Sequence, residues 1–326
     1  MNKKRVVAVI VTFNRCRNLK VLLGQLINQN HELDSLLIFD NASSDNTVEY
    51  LQNIGIAPKH EVIPKKLYKG IYNGITTYFL ENSFNSGGAG GFHDAIKIAS
   101  DIEGIDYVWV MDDDVFPDEN CLHNLLAEIE KDKSVGIAIP NRTGNGYVDR
   151  AIIHYDLEKF WVHRFGKLKK SIPADDLDSN IIRVADMPFE GPLIKKSLIK
   201  KVGLPNKEFF LIYDDTEYAT RCLQYGDIIF VKNASLKRQI VPQNTSTKKT
   251  RRVMTWKEYY TFRNEIFFER KYGKNWAVRN IRNIIWVVDL TLRAIVLRKW
   301  GNLKIIRRAY LDGIRGTLGK NDDIHK

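Results

Sequence analysis

Short apolar segments of strand length alternate with longer amphipathic segments through the first two thirds of the chain. Residues 5–12 (RVVAVIVT) and 35–40 (SLLIFD) are rich in aliphatic and β-branched side chains, which is typical of parallel strands buried on both faces. Between them, residues 18–30 repeat leucine and isoleucine at the spacing of one helix face. Strand, helix and strand in this order form a βαβ unit. The pattern therefore predicts an α/β domain with a doubly wound sheet.

The same alternation continues further along the chain. Two more strands are predicted at residues 106–111 (DYVWVM) and 135–140 (VGIAIP), with a helix near residues 119–131 between them. Shorter strands are predicted near residues 181–185 and 227–231, after which the pattern becomes helical.

The basic charge of the protein is concentrated in its last part. The chain has 50 Lys and Arg against 39 Asp and Glu, a net charge of +11, and residues 251–326 alone carry 18 against 7. We therefore divide the chain into a neutral α/β domain at residues 1–250 and a basic, amphipathic, helical region at residues 251–326. Because the basic residues alternate with Ile, Leu, Val and Trp, they favour an anionic membrane surface as the partner over nucleic acid.

One stretch of the C-terminal region is strongly apolar. Residues 284–297 (IIWVVDLTLRAIVL) span 14 residues and include Asp289 and Arg293, whereas a membrane-spanning helix needs about 20 apolar residues. The stretch therefore predicts a helix that lies on a membrane, or that packs against the first domain or against a second copy in a homo-oligomer. Three scattered cysteines suit a reducing compartment, and the first apolar run is better explained as a strand than as a signal peptide. We expect a cytoplasmic protein, peripheral on the inner face of the cell membrane.

Polar residues follow the first two predicted strands. The first strand ends in TFNR, which contains Thr12, Asn14 and Arg15, and the second strand ends at Asp40. In an open α/β sheet, ligands bind outside the carboxyl ends of the strands, where Asp40 can accept from a ribose hydroxyl or a base N–H. Ser44 and Asp45 are better explained as helix caps.

A glycine-rich segment, NSGGAGGF, begins at Asn85 and precedes a predicted helix. Glycines such as Gly88 allow close approach of the backbone and present free N–H groups to an anion at a helix N-terminus. The spacing is not that of the dinucleotide-binding fingerprint. A flexible loop is the alternative interpretation.

Three consecutive carboxylates, Asp112, Asp113 and Asp114, end the predicted strand at residues 106–111. Such a triplet repels itself unless a cation is present. Alternate residues of an extended chain point the same way, so Asp112 and Asp114 are suited to share one Mg²⁺ or Mn²⁺ ion. The alternative is a solvated acidic turn.

A second pair of carboxylates, Asp214 and Asp215, follows the apolar run FFLIY. A carboxylate in partly apolar surroundings tends toward a raised pKa, which suits a general base. The alternative is a helix N-terminus with favourable acidic residues, which accounts for Glu217.

These four features, in this order, resemble family 2 glycosyltransferases, which have the Rossmann-like GT-A fold. The resemblance covers residues 5–250 and rests on TFNR, DNASSDNT, the triple Asp and the FxxxDDxE segment with Arg221. The NSGGAGGF and MDDDV segments are most similar to those of galactofuranosyltransferases that build bacterial cell-surface polysaccharides such as O-antigen or capsule. Rhamnosyltransferases of the same family share the general pattern.

The resemblance implies an inverting transfer of a sugar from a UDP-sugar donor to a glycan acceptor, which is expected to be lipid-linked. It places Asp112 and Asp114 on Mn²⁺ or Mg²⁺, Asp215 as the general base, and Asp214 and Glu190 at the acceptor. The donor-binding residues that it implies are Thr12, Asn14, Arg15, Asp40, Asn85, Gly88 and Asp113.

One departure from the family pattern concerns a further metal ligand. Family members usually supply a His some two dozen residues after the base, but residues 237–244 (KRQIVPQN) contain none. Gln239, Gln243 or water are the candidate substitutes. Two other classes remain open. One is a nucleotidyltransferase, although such enzymes usually have a Gly-rich, basic loop directly after the first strand, where this chain has TFNRCRN. The other is a non-catalytic, membrane-bound sugar-binding protein, which the missing His leaves possible.

Overall fold

The computed structural model of the protein describes residues 3–144, 146–162, 168–239 and 253–324. Its strands are β1 Val6–Thr12, β2 Ser35–Asp40, β3 Tyr68–Tyr72, β4 Ile75–Glu81, β5 Tyr107–Asp112, β6 Val115–Pro117, β7 Val135–Gly144, β8 Tyr147–Val148, β9 Arg150–Tyr155, β10 Lys169–Pro173, β11 Ile181–Val184, β12 Leu193–Lys195 and β13 Asp227–Arg238. Its helices are α1 Cys16–Ile27, α2 Thr47–Asn53, α3 Gly87–Asp101, α4 Cys121–Ile129, α5 Lys196–Val202, α6 Asp214–Cys222, α7 Trp256–Tyr272, α8 Asn283–Val296 and α9 Trp300–Arg315. The predicted α/β class and the helical C-terminal region are both confirmed.

The described strands form one mixed sheet in the order β11-β13-β7-β12-β5-β1-β2-β4-β3, and β9 pairs with β10 in a separate antiparallel hairpin. Near the centre of the sheet, β1 pairs in parallel with both β2 and β5. Parallel strands end on the same side. Their last residues, Thr12, Asp40 and Asp112, therefore lie along one edge of the sheet.

Helices cover both faces of the sheet. Every residue of β1 and of β2 is buried, which explains why these strands are almost continuously apolar in sequence. On one face, the buried leucines of α1 pack with α4 against the sheet. On the other face, Phe92, Ala95 and Ile96 of α3 pack against it. The sheet therefore lies between two helical layers.

Helix α7 packs directly against the first domain, although it lies beyond residue 250. Its fully buried Asn264 donates from Nδ2 to the carbonyl oxygens of Phe209 at 3.1 Å, Leu211 at 2.7 Å and Ile212 at 2.8 Å. At the other end of α7, Tyr272 donates to Glu217 of α6 at 2.5 Å. This helix therefore supports the segment that leads into Asp214 and Asp215.

Helix α9 packs along α7. The Tyr259 hydroxyl donates to Asp312 Oδ2 at 2.7 Å. A Cβ at Gly313 would lie 2.8 Å from the Arg263 carbonyl oxygen, so the close approach of the two helices requires glycine at that position.

Helix α8 leaves one apolar face uncovered. Ile284, Val288, Leu292 and Ile295 recur at helical spacing and are between 42% and 56% exposed. Its two charged residues pair with each other, Arg293 with Asp289 at 2.8 Å. No helix in the described part of the chain has the length and apolar character needed to cross a bilayer.

Candidate active site

A cleft of about 380 Å³ opens at the carboxyl ends of β1 and β5. Its walls include six of the predicted donor and metal residues, which are Thr12, Arg15, Asn85, Gly88, Asp112 and Asp113. The apolar side chains of Phe210 and Leu211 line it as well, together with Trp256 and Lys257 at the start of α7. A larger cleft of about 800 Å³ lies along α9 and contains none of the predicted site residues. The smaller cleft is therefore the candidate active site.

Asp113 joins the end of β5 to the loop after β1. Its Oδ2 accepts hydrogen bonds from Thr12 Oγ1 at 2.7 Å and from the Phe13 backbone N–H at 3.3 Å, and its Oδ1 accepts from Arg15 Nη1 at 3.0 Å. The same Arg15 nitrogen donates to Asp114 Oδ2 at 2.7 Å. Burial would lower the pKa of Arg15, but the charges of Asp113 and Asp114 outweigh it and leave the pKa raised. The Asp113 carboxylate therefore accepts hydrogen bonds from other residues in the wall of the cleft. Its predicted role in binding the donor stays a prediction.

Asp112 ends β5 among other negative charges. Burial raises its pKa well above the usual range, and the charges of Asp114, Asp113 and Glu190 raise it further. A divalent cation is the kind of partner that relieves such crowding. Carboxylate oxygens such as these suit Mg²⁺ or Mn²⁺, which take their remaining ligands from phosphate and water. Asp114 shares its Oδ2 with Arg15, and the role of Asp112 and Asp114 as metal ligands stays a prediction.

The protein side of such a cation site is sparse. Within the described residues, no three Asp, Glu, His or Cys side chains are grouped closely enough to hold a metal ion. Gln239 lies beside the triplet, with its backbone N–H donating to the Asp114 carbonyl at 2.8 Å, but its side-chain oxygen accepts from Asn18 Nδ2 at 2.7 Å. Gln243, the other candidate substitute for the His, lies outside the described residues.

Asp40 is fully buried at the end of β2. Its Oδ1 accepts from the Ser43 N–H at 3.1 Å and the Ser43 Oγ at 2.6 Å, whereas Oδ2 has no partner among the described residues. Burial raises the pKa of Asp40 to about 6. Asn14 adopts a left-handed backbone with φ of 54°, and its Oδ1 accepts from the Ser44 N–H at 2.7 Å. Asn14 therefore joins the loops after β1 and β2.

The glycine-rich segment belongs to helix α3 and does not form a flexible loop before it, because α3 already begins at Gly87. Gly87 has φ of +74°, and a Cβ there would overlap the carbonyl oxygen of Phe210. A Cβ at Gly91 would lie 2.7 Å from Val11 Cγ1. The glycines thus bring the N-terminus of α3 against β1 and the Phe210 segment, and Asn85 Oδ1 accepts from the Gly87 N–H at 2.8 Å.

Asp214 and Asp215 form the first turn of α6 after a strained segment. Phe210, Ile212 and Tyr213 all have φ between 65° and 75°, a conformation that costs about 1–3 kcal/mol per residue and is concentrated at functional sites. Burial raises the pKa of both carboxyls, and the charges of Asp214 and Asp186 raise that of Asp215 further. A carboxyl of this kind is a better proton acceptor than a solvated one.

Glu190 is held between two arginines. Its Oε1 accepts from Arg238 Nη2 at 3.0 Å, and its Oε2 lies 3.4 Å from Arg142 Nη1. Its role at the acceptor stays a prediction.

Several residues around the site were not predicted from the sequence. Trp256 and Lys257 follow Thr255, whose capping box with Glu258 marks the start of a helix but does not indicate where that helix packs. Lys169 and Asp186 form an ion pair beside Asp215, and no local pattern identifies either residue.

Comparison with known proteins identifies the family. The model of glycosyl transferase family 2 matches residues 7–184. The galactofuranosyltransferase GlfT1 of Mycobacterium tuberculosis is 27% identical over 224 residues, which are 68% of this chain and 65% of the relative. The dTDP-rhamnosyl transferase RfbF of Shigella flexneri is 25% identical over 144 residues, which are 40% of this chain and 45% of that protein.

Solved structures match the fold. The crystal structure of GalNAc-T7 with UDP, GalNAc and Mn²⁺ superimposes with a TM-score of 0.54 at 15% identity, covering 86% of this chain and 55% of that one. At this identity the similarity concerns the fold, which is that of GT-A glycosyltransferases. By the match of its family model, the chain belongs to glycosyl transferase family 2.

Proposed function

We propose that the protein is an inverting, metal-dependent glycosyltransferase that moves galactofuranose from UDP-galactofuranose to a glycan acceptor in cell-surface polysaccharide biosynthesis. The observation that carries the proposal is the convergence of the ends of β1 and β5 with the N-terminus of α3 on one cleft. The carboxylates Asp214 and Asp215 follow the cleft-lining Phe210 and Leu211 by only a few residues.

The donor side of the cleft suits a nucleoside diphosphate. Thr12 and Arg15 line the cleft, and in our proposal they hold the uridine part of the donor together with Asn14 and Asp40. Asp40 lies buried at the end of β2, with its Oδ2 unpartnered among the described residues. The N-terminus of α3 lines the cleft at Gly88, and the positive end of a helix favours phosphate oxygens. The N–H groups of Gly87 and Ala89 are bonded within the protein, to Asn85 and Phe210. Asp112 and Asp114 would hold Mn²⁺ or Mg²⁺, which supplies charge neutralisation for the leaving diphosphate when bound.

The acceptor side requires a proton acceptor. A sugar hydroxyl has a pKa far above neutral, so a carboxylate must take its proton as the new C–O bond forms. Asp215 receives that proton in our proposal, and Asp214 and Glu190 orient the acceptor. The bond from the anomeric carbon to the diphosphate breaks in the same displacement, which inverts the anomeric centre.

The choice of donor rests on the relatives. Similarity to GlfT1 over 68% of the chain favours galactofuranose, and the shorter match to RfbF keeps rhamnose as the alternative donor sugar. Family membership favours glycosyl transfer over the nucleotidyltransferase alternative.

The test is a donor screen with Mn²⁺ that measures release of the nucleoside diphosphate from UDP-galactofuranose, other UDP-hexoses and dTDP-rhamnose. We expect UDP release above the rate of the Asp215→Asn variant, and only with UDP-galactofuranose. Release of dTDP instead would assign the rhamnose alternative. UDP binding without turnover of any donor, in the presence of a range of glycan acceptors, would support the non-catalytic alternative.

We also propose that the protein works on the inner face of the cell membrane, where it meets a lipid-linked acceptor. The supporting observation is the exposed apolar face of α8, with its only two charged residues paired to each other. Exposed basic residues, Arg298 and Arg307 among them, follow this face, and each contributes about 1 kcal/mol near an anionic leaflet.

Sedimentation with lipid vesicles tests this location. We expect the protein to bind vesicles that contain anionic lipid and to dissociate at high salt, whereas the double variant Val288→Asn with Leu292→Asn binds several-fold more weakly. Ile71→Asn, which removes an exposed apolar residue on β3, is the matched control and should bind like the parent. If the α8 variant instead changes a dimer into a monomer and leaves vesicle binding unchanged, the face is a homo-oligomer interface.

A further inference from the structure

The hairpin of β9 and β10 brings a lysine from outside the predicted motifs to the proposed base. Lys169, the first residue of β10, forms an ion pair through Nζ with Asp186 Oδ2 at 2.5 Å. The Asp186 side chain is only 7% exposed. The same Nζ donates to Thr216 Oγ1 at 3.4 Å, and the Thr216 backbone N–H donates to Asp215 Oδ1 at 2.7 Å. A continuous series of contacts therefore joins Asp186, Lys169 and Thr216 to the carboxyl of Asp215.

Aromatic rings enclose the ammonium group of Lys169. Its Nζ lies 5.4 Å from the centre of the Tyr155 ring and 6.0 Å from that of Tyr213, and the two tyrosine hydroxyls are hydrogen-bonded at 3.0 Å. Rings in this position favour a cation and exclude water from one side of it. Because charges interact more strongly where water is excluded, Lys169 acts on Asp215 more than an exposed lysine would.

We propose that Lys169 is a positioning residue for Asp215, and that Lys169 and Asp186 act on that carboxylate in opposite directions and so set the pH at which it becomes a proton acceptor. This inference rests on the assignment of Asp215 as the base in the proposed function.

The charged groups around Asp215 fix the sign of each effect. The positive charge of Lys169 stabilises the Asp215 carboxylate and lowers its pKa, whereas the negative charges of Asp214 and Asp186 raise it. Burial would lower the pKa of Lys169, but Asp186 above all, and then Asp215 and Glu265 of α7, raise it, which keeps the lysine charged. The pKa of Asp214 is raised chiefly by burial, and the charge of Glu217, further along α6, adds to this.

Substitutions at the two partners should therefore move the pH profile in opposite directions. The value of kcat/KM falls as the base becomes protonated, so its acid limb follows the pKa of Asp215. In Lys169→Met the limb should move to higher pH by about one unit, and in Asp186→Asn it should move to lower pH. Lys169→Arg should restore the parent profile. Lys170→Met removes the neighbouring, exposed lysine of β10 and is the matched control.

The pH midpoint of the acid limb distinguishes a positioning role from a purely structural one. Partial unfolding lowers kcat/KM at every pH and does not move this midpoint. Limbs that stay in place, or that move in the same direction in both variants, would overturn the proposal. A rise in KM for the acceptor at an unchanged limb would instead assign Lys169 to acceptor binding.

A measurement without turnover separates this inference from the proposed function. The Asp215 carboxyl can be titrated by NMR in protein with ¹³C-labelled aspartate, with Asp215→Asn used to assign the signal. We expect its midpoint to rise by about one pH unit in Lys169→Met and to stay at the parent value in Lys170→Met. An unmoved midpoint rejects the role of Lys169 even if transfer is observed. A moved midpoint in a protein that transfers no sugar rejects the proposed function but retains the electrostatic coupling.

Discussion

The two parts of the proposed site, the donor side and the base side, are built in different ways. On the donor side, Thr12, Arg15 and Asp113 come from the ends of neighbouring parallel strands and bond directly to one another. On the base side, Asp214 and Asp215 begin a helix after a strained segment. That segment is held by α7 and is contacted by the β9–β10 hairpin through the hydroxyls of Tyr155 and Tyr213.

The difference has a physical origin. Buried parallel strands place their carboxyl ends together by pairing alone, so the donor side follows from the sheet. A strained backbone persists only when its surroundings hold it in place, so the base side depends on elements distant in sequence. We therefore expect the donor side to tolerate substitutions without loss of structure, and the base side to couple activity to stability.

Removal of the cation should have the largest effect, and it acts on the donor side. We expect EDTA to abolish transfer and Mn²⁺ or Mg²⁺ to restore it, because the leaving diphosphate then lacks charge neutralisation. Asp114→Ala should lose activity while it melts near the parent temperature, because Arg15 retains its bond to Asp113. Asp178→Ala, at an exposed aspartate, should remain fully active. Undiminished turnover in EDTA would contradict the metal assignment.

Loss of the proton acceptor should come next, and it acts on the base side. Asp215→Asn keeps the size and polarity of the side chain but accepts no proton, so kcat should fall by about 10²–10⁴. Affinity for UDP should change little because the donor side is untouched. Single-turnover rates and UDP titration measure the two quantities. A variant that turns over normally would move the role to Asp214 or Glu217.

Asn264 of α7 supports the strained segment, so its substitution tests whether the base side depends on distant elements as the donor side does not. In Asn264→Ala the carbonyls of Leu211 and Ile212 lose this donor, whereas the carbonyl of Phe209 keeps Arg263 Nη2 at 2.9 Å. Buried acceptors without partners should cost about 2–4 kcal/mol of unfolding free energy, and kcat should fall with it. Asn53→Ala, at an exposed site on α2, is the control for urea denaturation. If Asn264→Ala keeps parental stability and kcat, the base side does not depend on α7.

The same contrast explains how much could be predicted from the sequence. Three strands, β1, β2 and β5, were predictable because a strand buried on both faces is almost continuously apolar in sequence. The acidic triplet that begins at Asp112 was predictable because it ends such an apolar run. Asn264 and Lys169 were not predictable, because the segment that each one supports lies more than 40 residues away along the chain. The glycines were predicted to precede a helix, but they lie inside α3, since close packing against Phe210 and Val11 outweighs their low helix propensity.

A gain in stability, and not a loss, is expected on substitution of a donor-side residue whose burial opposes stability. Burial raises the pKa of Asp40 to about 6 from a usual value of 3.8, so the folded state binds a proton more tightly than the unfolded state does. The folded protein should therefore lose stability as the pH rises from about 4 to 6, by up to about 3 kcal/mol at neutral pH. Asp40→Asn carries no such cost and should be more stable than the parent at pH 7.5, with the difference shrinking near pH 4. Urea denaturation at both pH values measures this difference, and UDP titration should show weaker binding. A stability difference that is the same at both pH values would mean that Asp40 acts through its hydrogen bonds to Ser43 and not through its charge.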